Sequence, residues 1–301
     1  MDKKTEKNSV KKPAARKKAV ASKRTAKTRK TKKGDSKKKT ASKPKPTWFL
    51  LLVAALLIFL FVSAFYFFFI RPYAYRWKPC YGLKGYGVCM PSGFQVHGID
   101  ISHYQGTIEW NKLSQARQGL FPVRFIFMKA SEGGDYSDHT FQANFDSAKV
   151  YGFIRGAYHF YNPKTDAQKQ ADFFIRNVQL NAGDLPPVLD IEKKSRDMKK
   201  LQSDLKVWLQ KVEAHYGVKP IIYASYKFKK RYLNDSVFNT YPYWIAHYYV
   251  DSVRYDGKWD FWQHTDVGTL PGIEEQVDLN VFNGNADELK RLLIPIKKVT
   301  R

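Results

Sequence analysis

Residues 185–194 read LPPVLDIEKK. A proline pair precedes a short apolar run and lysines follow it, so the segment has the form of a buried strand of four to eight residues. Asp190 and Glu192 stand two apart at its far end. Side chains on a strand alternate between faces, so both carboxyls point the same way. Like charges at the mouth of an apolar element are costly unless they are paired or used.

Seven more segments of this kind flank it: HGIDIS (97–102), VRFIFMKAS (123–131), IRGAYHF (154–160), KPIIYAS (219–225), YPYWIAHY (241–248), WDFWQHT (259–265) and QVDLNVF (276–282). The amphipathic stretches TFQANFDSAKVYG and LQSDLKVWLQKVEAHYG lie between them, each closing on a glycine as a helix C-terminus does. Strands alternating with helices predict a parallel sheet. Eight strands in about 190 residues predict an α/β fold, a modified (β/α)8-like barrel with fewer than eight helices. A doubly wound open sheet is the alternative.

In such barrels chemistry gathers at the C-terminal ends of the strands. Those ends carry Asp100, Tyr158, His159, Asp190, Glu192, Tyr223, Trp244, Trp262, Gln263 and Asp278. Asp100 and Asp278, on the first and last strands, become neighbours once a barrel closes. Cleaving a glycosidic bond requires a carboxylic acid for the leaving oxygen and negative charge or a nucleophile for the oxocarbenium-like centre. Two carboxylates about 7 Å apart on a strand repel by roughly 2.4 kcal/mol at an effective dielectric of about 20, nearly 2 pKa units. If Asp190 ionises first, Glu192 keeps its proton and serves as the acid. The competing reading is a structural pair neutralised by Lys129, Lys193 or Lys194. Tyr158, His159, Tyr223, Trp244, Trp262 and Gln263 are candidates for gripping sugar rings and hydroxyls, with ordinary core packing as the alternative for the aromatic ones. Neither His159 nor His247 forms a compact ligand motif, so no metal or cofactor is expected, and no G-x-S-x-G supports serine chemistry.

The remaining chain is organised around a membrane signal. Residues 1–47 contain 20 Lys/Arg against 3 Asp/Glu, a net of +17, which leaves +8 of the total +25 for everything after them. This low-complexity tail is expected to be disordered and cytoplasmic, held by anionic lipid head groups. No aromatics interleave its charges, which argues against nucleic-acid binding. Trp48 to Ile70 is an uncharged run of 23 residues, roughly 35 Å as a helix and enough to span a bilayer, with Trp48 and Tyr73, Tyr75 and Trp77 at the interfaces. No small-residue cleavage site follows, so an uncleaved anchor is favoured over a signal peptide. The positive-inside rule places residues 71–96, a linker with a possible Cys80–Cys89 disulfide, and the 97–301 domain outside the cytoplasm, periplasmic or extracellular.

The ordered segments GIDISHYQGTIEW, FIFMKASEGGDYSDHTFQANFDSAKVYGFIRGAYHFY, PPVLDIE, IIYAS, YWIAHY and FWQHTDVGTLPGIEEQVDLNVFNG resemble glycoside hydrolase family 25, the Chalaropsis-type lysozymes or N-acetylmuramidases. The resemblance covers about 97–284. It implies cleavage of the β-1,4 bond between N-acetylmuramic acid and N-acetylglucosamine in peptidoglycan, with retention by substrate assistance. Glu192 falls at the acid/base position, Asp100, Asp190 and Asp278 at the other acidic positions. Asp190 or Asp278 would steady an oxazolinium-like species. The basic tail, the anchor and the cysteine segment are additions to the pattern, and no wall-binding repeats follow residue 284, so the anchor is expected to supply localisation. The competing expectation is a catalytically weak or inactive scaffold of the same fold that grips peptidoglycan without cutting it.

Overall fold

The computed structural model describes residues 47–71 and 79–296. The basic tail and the Tyr73, Tyr75 and Trp77 belt lie outside the described residues. Helix α1 (Thr47–Phe65) runs into a wider turn, Tyr66–Ile70. Together these 24 residues are long and apolar enough to cross a membrane, and none of that surface is buried.

Eight strands close a barrel in the order of the eight segments: β3 (Val96–Ile101), β4 (Val123–Glu132), β6 (Ile154–Phe160), β7 (Val188–Asp190), β8 (Ile221–Ser225), β9 (Tyr243–Ala246), β10 (Phe261–Gly268) and β11 (Val277–Phe282). A two-residue strand, β5 (Tyr136–Ser137), extends the outer edge of β4. Outside lie α3 (Phe141–Val150), α4 (Ala167–Asn177), α5 (Met198–Tyr216), α6 (Tyr226–Tyr232) and α7 (Ala286–Leu292), with a single turn, α2 (Trp110–Leu113). The sequence signals explain the helix ends. Asp166 and Asp197 accept backbone N–H bonds at the starts of α4 and α5, and α5 ends on Gly217 at φ 73°, a left-handed position that suits glycine.

The barrel departs from an all-parallel sheet at one strand. Every neighbouring pair is parallel except β11, which runs antiparallel to both β10 and β3. Only a short turn separates Gly268 from Val277, too little chain for the crossover that a parallel neighbour demands. Asp278 therefore stands at the beginning of its strand, not at its C-terminal end as the segment pattern suggested. Strand reversal nonetheless carries it to the functional rim, in register with Asp100.

Two apolar layers follow from the alternation of side chains. Inside the barrel Phe125, Phe127, Val188, Ile221, Trp244 and Phe261 form a plug. The opposite faces, with Ile99, Ile126, Leu189, Ile222 and Ile245, pack against the helices around Trp208 and Phe174. Residues 79–95, expected within a linker, are built onto the barrel instead. β1 (Lys84–Gly85) and β2 (Val88–Cys89) form a hairpin closed by the Cys80–Cys89 disulfide, worth about 2–3 kcal/mol by loop closure. Its reason for docking is apolar and polar at once: Met90 is buried, the Tyr86 hydroxyl donates to the Phe121 carbonyl at 2.7 Å, and Thr269 N–H donates to the Tyr86 carbonyl at 2.9 Å.

The plug leaves no room at Gly98, where a Cβ would collide with the Phe125 ring. Gly98→Ala is expected to cost about 1–3 kcal/mol by overpacking, read as a lowered urea midpoint with an unchanged slope.

Candidate active site

At the C-terminal rim of the parallel strands the plug stops and a cavity of ≈ 220 Å³ opens, lined among others by Asp100, Tyr104, Tyr158, Phe160, Asp190, Glu192, Tyr223, Trp244, Tyr248, Gln263 and Asp278. Each inward residue sits where period two places it: Tyr158 on β6, Asp190 on β7, Tyr223 on β8, Trp244 on β9, Gln263 on β10, and the pair Asp100 and Asp278 across the seam of β3 and β11.

Asp100 is held by two amide donors on a single oxygen: Gln263 Nε2 at 2.8 Å and Asn280 Nδ2 at 2.7 Å reach its Oδ2. Burial pushes both Asp100 and Asp278 above the ordinary carboxylate range. The amide bonds favour the ionised form of Asp100, and its charge in turn drives Asp278 further up. The two therefore share one proton, kept on Asp278.

Asp190 and Glu192 differ in the reverse sense to the one the sequence suggested. Asp190 is buried and its Oδ1 has no hydrogen-bond partner among the described residues. Desolvation first, then the charges of Glu192 and Asp100, hold it well above the carboxylate range. Glu192 is exposed at the mouth of the cavity. Partial desolvation raises its pKa, while the Tyr223 hydroxyl, Lys193 and Lys129 pull the other way. Asp190 is thus the harder of the two to ionise, because the barrel wall surrounds it. Among the described residues no lysine forms a salt bridge with Glu192. Lys129 Nζ bonds Glu132 Oε2 at 2.8 Å and Lys193 Nζ reaches Glu132 Oε1 at 3.3 Å, so Glu132 draws both cations aside.

Of the aromatic and polar candidates, Tyr158, Tyr223, Trp244 and Gln263 line the cavity. Trp244 is its floor rather than a free platform: one face stacks on Phe127 at 4.3 Å, and its Nε1 donates to Asn280 Oδ1 at 2.8 Å. Tyr223 and Tyr248 both donate to Gln263 Oε1 at 2.7 Å, which turns the amide's N–H toward Asp100. His159 and Trp262 do not reach the cavity. His159 points to the helix side, between Ser131 Oγ at 2.9 Å and Gln170 Oε1 at 3.2 Å, stacked on Trp208, and burial lowers its pKa to about 4. Trp262 packs against Phe94 and His264, its Nε1 donating to the His247 carbonyl. Both are neighbours in sequence of an inward residue, Tyr158 and Gln263, and a strand cannot turn two consecutive side chains to one face.

Several contributors went unread in the sequence. Asn280 lies two residues after Asp278 in VDLNVF, so alternation placed it on the same face. Glu132, within SEGG, passes for a loop signal. Tyr104, 73% exposed at the cavity edge, presents an open ring face that Trp244 lacks.

An open cleft of carboxyls and phenols at one rim of a closed barrel is the architecture of a barrel glycosidase. The family model described as glycosyl hydrolases family 25 matches residues 99–273. The chain is 38% identical over 226 residues to the uncharacterized protein YegX of Escherichia coli K12, covering 74% of this chain and 82% of that one. It is 32% identical over 213 residues to lysozyme M1 of Streptomyces globisporus, covering 65% and 71%. A family 25 glycosyl hydrolase structure from Bacillus anthracis superposes with a TM-score of 0.60 at 33% identity, covering 66% of this chain and 93% of that one. The chain belongs to glycosyl hydrolases family 25 and is a glycoside hydrolase.

A carboxyl whose pKa is raised by folding stabilises only while protonated. Its contribution is fully present below the unfolded value near 3.9 and is lost as pH rises through the folded value. Asp190→Asn and Asp278→Asn are each expected to flatten the fall of stability above about pH 4, for Asp278 up to its folded value of about 9. Urea unfolding at several pH values reads this directly; slopes identical to the parent's would contradict the protonation assigned to these two residues.

Proposed function

We propose that this chain is a membrane-tethered muramidase that hydrolyses the β-1,4 bond between N-acetylmuramic acid and N-acetylglucosamine in peptidoglycan. The observation that carries it is the convergence of four carboxyls on one open cavity, with Glu192 the accessible member and free of a lysine partner. Family membership and the resemblance to lysozyme M1 support the same substrate.

Glu192 is assigned as acid and then base. At the mouth it meets the glycosidic oxygen of a strand lying in the cleft, hands over its proton as the bond breaks, and later takes one from the attacking water. Asp190 is assigned to the substrate's acetamido group. Its unpartnered buried oxygen lacks a donor, and the acetamido N–H supplies one, aligning the acetyl oxygen for attack on the anomeric carbon with overall retention. Asp100, fixed by Gln263 and Asn280, supplies negative charge beneath the forming cation, and Asp278 holds the neighbouring proton. Tyr104 offers a ring face to a sugar. The apolar span at Thr47–Ile70 acts as an uncleaved anchor, with residues 1–47 cytoplasmic and the barrel outside.

Glu192→Gln is expected to lose about 10²–10⁴ in rate, read by clearing of peptidoglycan embedded in a gel and by mass analysis of released muropeptides. Undiminished clearing would remove Glu192 from the acid role. A parent chain that binds sacculi yet releases no reducing ends would instead indicate a non-cutting scaffold. Proton NMR of the first-formed anomer tests retention: a β product is expected, and an α product rules out the acetamido route.

A further inference from the structure

The charge of the barrel is unevenly placed. Residues 79–296 contain 26 Lys/Arg and 24 Asp/Glu, yet the two short segments KKSRDMKK (193–200) and YKFKKRY (226–232) hold nine of those cations and one of those acids. The rest of the barrel is net acidic, and so is the cleft. Both segments start at the cleft: the first follows Glu192 directly, and the second begins three residues after Tyr223. They also meet in space. Lys194 Nζ lies 5.0 Å from the Tyr232 ring centre, the Arg231 guanidinium 5.6 Å from the same ring, and Gln202 Nε2 donates to the Tyr232 carbonyl at 2.7 Å.

Most of these cations are not spent on internal pairs. Lys193 is drawn to Glu132 and Lys200 to Asp204, and Lys229 is buried against Asn239. Lys194, Arg196, Lys199, Lys227, Lys230 and Arg231 are exposed and make no salt bridge within the described residues. Six exposed cations on two segments that meet at Tyr232 repel one another unless an anion visits them. A glycan seated in the cleft would project its substituents across that rim.

We infer that this basic rim binds the carboxylates of the peptide stems borne by the glycan, drawing an anionic polymer onto the cleft. The inference rests on the muramidase reading. Within a screening length of about 8 Å at physiological salt the rim's field reaches a substrate at the cleft but not a distant one, so its effect falls on capture.

The test uses the full chain in non-ionic detergent, purified sacculi, and the same sacculi with their carboxyls amidated. The variant combines Lys194→Gln, Arg196→Gln, Lys230→Gln and Arg231→Gln, all exposed residues away from the cavity. Wild type is expected to bind native sacculi roughly tenfold more tightly than amidated ones, with the difference vanishing at high salt. The variant, which shares the basic tail of residues 1–47 with wild type, should lose most of the difference in binding between native and amidated sacculi. In turnover, the variant's KM on native sacculi should rise about tenfold with kcat retained, and the two proteins should be equal on amidated sacculi, which also certifies the variant's fold. Wild-type binding indifferent to amidation, or a variant indistinguishable from wild type on native sacculi, overturns the inference. So does a variant that loses only its binding to phosphatidylglycerol vesicles, because the rim would then serve a lipid phosphate. Sedimentation needs no turnover, so it still reports on the rim if Glu192→Gln shows that the acid has been misassigned.

Discussion

Asp100 and Asp278 face each other across the seam where the last strand meets the first. Two carboxyls in that position cannot both ionise, and the site is arranged around this constraint. Gln263 and Asn280 put their N–H groups on Asp100, and Tyr223 and Tyr248 in turn fix the Gln263 amide. Trp244 orients Asn280 through its indole N–H. A chain of donors running through five strands thus ends on one carboxylate oxygen. Remove the seam pair and those donors lose their common acceptor.

The second carboxyl pair is governed by depth rather than by mutual repulsion alone. Asp190 belongs to the wall and Glu192 to the mouth, so the surroundings separate their protonation before their own interaction does. Glu132 completes the arrangement by binding Lys129 and Lys193. Without it either lysine could swing to Glu192 and stabilise its carboxylate.

Much of this was legible from alternation. All eight strand segments are strands, and Asp100, Asp190 and Glu192 line one cavity from the strand ends, joined by Asp278 through the reversal of its strand. The period of two governs neighbouring residues as strictly as whole segments. His159 beside Tyr158, and Trp262 beside Gln263, had to face the helices once their partners faced inward. Applied to VDLNVF, the same rule would have found Asn280. The reversed direction of β11 was implicit in the short connection after Gly268. Other features had no local signal. That Glu132 collects lysines, or that residues 79–95 dock through Tyr86 and Met90, depends on contacts between segments far apart in the chain.

The aromatic plug has a consequence for traffic. Phe125, Phe127 and Phe261 are fully buried beneath Trp244, so the cavity is blind-ended. Nothing threads through the tube, and whatever enters leaves by the same doorway. A long polysaccharide must therefore be laid across the opening like a cable over a cleat and lifted off again after the cut, with both severed halves departing sideways.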